Sequence, residues 1–177
     1  MRALSLACFV TAVLLVCIIG PGESGAQQLK YVGSGGCGNI VVYGWTEDHK
    51  EALIVRADRE QLGLRVGANT ITIKADRNGL DVAVELYENP QPHLPEYYCN
   101  DVRLPEWERP STRLTAVSGS LRITLGAPGA VTVEGKPPGV YEATVALHGV
   151  GFQRPDGTRV PPGPPITLKA IVGYVLG

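Results

Sequence analysis

The chain has 177 residues, 16 Lys plus Arg against 17 Asp plus Glu, and a formal net charge of -1. Its charges are dispersed, with no basic block of the kind that binds nucleic acid or an anionic membrane surface. Glycine and proline are abundant, at 22 and 14 residues, but β-branched residues recur between them, which argues for turns between strands rather than disorder.

The first 26 residues read as a cleavable signal peptide. Arg2 supplies a basic start, residues 3–19 form an apolar run, Gly20-Pro21-Gly22 breaks it, and Ser24-Gly25-Ala26 offers a small-x-small cleavage site. The apolar run is shorter than the roughly 20 residues a membrane span needs, so no span is expected in the mature chain. The expected location is secreted or periplasmic. Cys8 and Cys17 leave with the leader, and Cys37 and Cys99 remain as a disulfide pair in an oxidising compartment.

Residues 27–38, with Gly33-Ser34-Gly35-Gly36, read as a flexible glycine-rich lead-in, with a short strand near residues 29–32 as an option. The letters match G-x-G-x-x-G, but that fingerprint needs a strand before it and a helix after it, and here a strand-like segment follows. Residues 39–47 are apolar on both faces, as in a central strand. Residues 51–57 return as its hairpin partner across the polar turn at 47–50. Asp58 caps at most one helical turn, closed by Gly63. Residues 69–75 and 80–88 alternate strictly and flank Asp76-Arg77-Asn78-Gly79, which predicts a second hairpin. Asp76, Asn78 and Asp81 look like oxygen ligands, but a calcium loop's terminal Glu is missing, so a tight turn accounts for them.

Residues 89–110 carry five prolines with Tyr97, Tyr98 and Trp107, and read as an ordered excursion tied down by Cys99. Strand patterns resume at 113–125, with a bulge or bend at Ser118-Gly119, and at 131–134, 140–152 and 166–175. Pro155-Asp156-Gly157 is a turn. The whole predicts one all-β domain over residues 39–177: an antiparallel β-sandwich of about eight strands, an immunoglobulin-like or jelly-roll-like two-sheet architecture, with one disulfide.

No catalytic constellation is visible. There is no G-x-S-x-G elbow, and His49, His93 and His148 lack metal-ligand spacing. The acids Glu96, Asp101, Glu106 and Glu108 share one proline-rich loop and read as solvated. No cofactor and no nucleic-acid partner are expected. The sequence favours a non-enzymatic interaction or structural module with a protein or glycan partner. Tyr97, Tyr98 and Trp107 are the candidate sugar-binding aromatics, or else a lid over the core. A further option is self-association by strand addition through the apolar segment 166–175.

Overall fold

The computed structural model describes residues 31–75, 81–90, 93–100, 112–130 and 140–173. The expected signal peptide, the expected turn at Asp76-Arg77-Asn78-Gly79, Trp107 with most of the proline-rich excursion, the strand pattern expected at 131–134 and residues 174–175 lie outside them. The chain is all-β and antiparallel, as its alternation predicts. In order the elements are β1 Tyr31–Cys37, β2 Val41–Thr46, β3 Glu51–Ala57, β4 Gly67–Thr72, β5 Val82–Glu88, α1 Leu94–Cys99, β6 Thr112–Leu125, β7 Tyr141–Gln153, β8 Arg159–Val160 and β9 Ile166–Val172.

The nine strands form one continuous hydrogen-bonded sheet, ordered β1-β2-β3-β5-β6-β7-β8, with β4 also on β6 and β9 also on β7. The two separate sheets expected of a sandwich are not what the pairing gives: the long strands β6 and β7 run through both halves of one sheet. The first four residues of β6 pair with β5 and its last six with β4, while β7 pairs with β9 through its first half and β8 through its last two residues. The corner is the bulge expected at Ser118-Gly119, where the β6–β7 register shifts twice. Bulges let a strand pass from one layer to the next. Gly119 has φ +113, and a Cβ there would stand 2.7 Å from the Gly149 carbonyl oxygen, so only glycine fits this corner.

Folding over brings β9 alongside β1. The Ser34 hydroxyl donates to the Lys169 carbonyl at 2.7 Å, and the Gly173 amide donates to the Gly38 carbonyl at 2.8 Å. One core fills the space between the halves: Val42, Leu53, Val55, Val84 and Leu114 from one side meet Leu121, Ile123, Val145, Leu168 and Val172 from the other.

Three other sequence expectations change. Residues 31–37 are not a flexible lead-in but strand β1, paired along its length with β2 apart from a register shift between Tyr31 and Gly33. Its glycines admit large neighbours, since a Cβ on Gly33 or Gly35 would collide with the rings of Trp45 or Tyr43 at 2.3 and 2.7 Å. Next, β4 and β5 do not pair with each other among the described residues. Both lie along the same edge of β6, one after the other. Last, the excursion contains the six-residue helix α1, whose first turn accepts proline because its N–H groups have no intrahelical acceptor. The single turn after Asp58 forms as expected: the Asp58 carboxylate accepts the Glu60 and Gln61 amides at 2.9 Å, and the Leu62 amide bonds back to the Asp58 carbonyl.

Candidate functional site

Strand parity divides β1, β2, β3 and β5 into an inner face toward the core and an outer face. On the outer face stand Gly33, Gly35 and Cys37 of β1, Val41, Tyr43 and Trp45 of β2, Ala52, Ile54 and Arg56 of β3, and Glu85 and Tyr87 of β5, aligned by register. Ala52, Ile54 and Tyr87 are buried here as a second cluster, with Val41, Tyr43, Trp45 and Tyr98 packed around them. This is why residues 39–57 are apolar on both faces. The cover is α1, fastened to β1 by the Cys37–Cys99 disulfide, which closes a sequence separation of 62 residues.

Beneath α1 lies Glu85, only 4% exposed. A carboxylate removed from water needs donors on both oxygens. Oε2 accepts from the Tyr87 hydroxyl at 2.8 Å and the Tyr98 hydroxyl at 3.0 Å. Oε1 accepts from Arg56 on β3 at 3.1 Å and from Arg113 on β6 at 3.3 Å. Both arginines reach Glu85 diagonally across the sheet, one from each neighbouring strand. The two tyrosine hydroxyls also bond each other, and the Arg56 guanidinium sits 5.5 Å from the centre of the Tyr98 ring. Burial is the first cause that pushes the Tyr98 phenol up to about 12, and it raises Tyr87 further still. Both therefore remain hydrogen-bond donors at neutral pH. Every partner is supplied by the chain, so this network fastens the helix to the sheet.

The predicted aromatics divide accordingly. Tyr98 points its hydroxyl into the network and acts as part of the lid. Tyr97 meets Tyr98 edge to face at 5.1 Å. Trp107 lies outside the described residues. Of the four loop acids only Glu96 is described, in the first turn of α1. His93 precedes α1 and His148 lies on β7, and among the described residues no three His, Cys, Asp or Glu side chains cluster as a metal set. The glycine-rich motif is β1, followed by a turn and β2, so the strand-then-helix context of dinucleotide binding is not met.

Sequence reading missed a row of rings beside the lid. Tyr43 and Trp45, two residues apart on β2, have ring centres 5.5 Å apart and planes 24° apart. Trp45 and His49 continue the row at 5.9 Å and 25°. The Tyr43 and Trp45 rings lie across the glycines of β1, so backbone supports one side of each ring, and both side chains are half-buried. His49 extends the row from the β2–β3 turn with φ 55, an uncommon conformation for a residue with a Cβ. The signal was Gly33-x-Gly35 and Tyr43-x-Trp45 sharing one period. It becomes visible only once β1 is recognised as a strand.

β9 is paired along one edge with β7, meets β1 on the other side through the Ser34–Lys169 hydrogen bond, and its Leu168, Ala170 and Val172 belong to the core. The described residues contain no helix long and apolar enough to cross a membrane. Comparison with known proteins finds no match to any family, curated protein or solved structure.

Proposed function

We propose that the protein is an exported, non-enzymatic interaction module that binds a glycan through the ring row Tyr43–Trp45–His49. The observation carrying this reading is the near-parallel set of rings resting on a glycine strand. Ring faces are apolar and bear partial negative charge, which suits the C–H face of a pyranose. A ring braced on backbone loses little freedom when a ligand stacks on it. Of the loop aromatics, Tyr98 is committed to Glu85, so this reading rests on the rings of β2. Export rests on the leader-like first 26 residues and on the paired cysteines.

Retention of the protein on immobilised polysaccharides tests the reading. Trp45→Ala should weaken retention at least about tenfold, as loss of a central aromatic anchor does. Tyr97→Ala should change it by less than about threefold. No retention of the parent protein on any polysaccharide, or equal retention of the Trp45→Ala variant, would remove this function.

A further inference from the structure

A second feature lies on the inner face, away from the ring row. Where β3 and β9 begin, the interior opens into a cavity of 140 Å³ walled by Leu86, Leu147, Val150, Phe152, Val160 and Ile166. Two polar residues interrupt this wall, Tyr31 and Glu51. Glu51 shares the parity of Leu53 and Val55, so it faces inward. Its cross-strand neighbour is a second acid, Glu88. Arg154 grips Glu88 with both terminal nitrogens, at 2.6 and 2.5 Å. Glu51 receives no such cation: its Oε2 is shut off from solvent and accepts no hydrogen bond from the protein.

We propose that this cavity binds a small organic ammonium ion, a single positive nitrogen on a hydrocarbon body about the size of one ring. An apolar cavity of about 150 Å³ accommodates benzene, which sets the size of the body. The carboxylate sets the charge. A bare buried acceptor is costly, and an N–H donor carrying positive charge satisfies it most strongly. An anion would meet the Glu51 carboxylate in the cavity wall, whereas the neighbouring acids Glu88 and Asp48 are paired with Arg154 and Lys50. Burial, then Glu88, then Asp48 raise the Glu51 pKa, the signature of a carboxylate lacking a cation. This site is independent of the glycan reading and can stand if that reading fails.

The test is titration of the ¹⁵N-labelled full-length mature chain with benzylamine, benzyl alcohol and benzoate, followed by amide shifts. Benzylamine should bind saturably, moving the amides of Leu86, Leu147, Phe152 and Ile166, at least about tenfold more tightly than benzyl alcohol. Benzoate should not bind. Glu51→Gln should bring amine and alcohol within about twofold of each other. Val160→Phe, which fills the cavity from its rim, should abolish both and keeps the test decisive if Glu51→Gln folds poorly. Four results would overturn the proposal: no saturable amine binding, equal affinity for amine and alcohol, undiminished amine affinity in Glu51→Gln, or shifts centred on Tyr43 and Trp45 instead of the cavity.

Discussion

Glu85 and Glu51 sit on adjacent strands of the same sheet and have opposite circumstances. Glu85 faces outward and is almost wholly buried, yet two arginines and two tyrosines occupy its oxygens. Glu51 faces inward and is less buried, yet one of its oxygens has no partner. Burial alone therefore does not mark a site. What separates a fastening from a place for a ligand is whether the chain saturates the acceptor itself.

Removing the cover from the saturated acid should have the largest effect. Cys37→Ser with Cys99→Ser frees α1 and relaxes a constraint over 62 residues, worth about 4 kcal/mol in the chain-entropy account. That corresponds to a fall in melting temperature of about 10 °C for a domain of this size. Calorimetry of the variant checks it. A loss below about 1 kcal/mol would mean that the Glu85 network holds α1 without the bond. Affinity for benzylamine should be unchanged, because the cavity lies on the other face of β3.

Glu85→Ala comes next. Deleting one member of a fully buried ion pair costs about 3–5 kcal/mol. Here Arg56 and Arg113 are 39% and 56% exposed and can turn to water, so the expected loss is about 3 kcal/mol by chemical denaturation. The Glu85 charge also helps raise Tyr87 and Tyr98, after burial in both cases. Spectroscopic titration of the tyrosines should therefore show the Tyr98 midpoint moving below about 12. If stability and titration both stay put, Glu85 is a bystander and the contrast with Glu51 disappears.

The difference between the two acids was not legible in the sequence, whereas most strands were. Strands β2, β3, β6 and β7, the corner at Gly119 and the turn at Asp156-Gly157 are written in local alternation and local turn chemistry. Reading Cys8 and Cys17 as part of a leader leaves Cys37 and Cys99 with one possible pairing, the one the structure has. Features decided by distant partners were hidden. The β1 glycines resemble a loop until rings from β2 cover them. The letters at 76–79 indicate a turn, but β6 decides where β4 and β5 pair. Six residues of α1 are too few to show a helical period. Glu85 fits the polar half of an alternating strand, and it is buried because α1, joined to β1 by the disulfide, lies across it. The ring row depends in turn on β1 being a strand.

The smallest expected effect is also the sharpest probe of the contrast. Glu51 has a raised pKa, from burial first and then from Glu88 and Asp48. Between the ordinary glutamate value and that raised value, the folded chain binds more protons than the unfolded chain. Stability must then fall as pH rises through that interval. Below the interval both states are protonated, and the penalty is absent. Glu51→Gln removes this slope. At neutral pH the variant should be more stable than the parent, by up to about 1 kcal/mol, the low end of the cost of an unpartnered buried acceptor. The gain should shrink toward zero as pH falls to the ordinary glutamate range. Denaturant midpoints across pH measure both quantities. A variant less stable than the parent at neutral pH would mean that the carboxylate already has a favourable partner. Saturating benzylamine should erase the gain in the opposite direction, by stabilising the parent and leaving Glu51→Gln nearly unmoved, since only the charged carboxylate discriminates in favour of the cation.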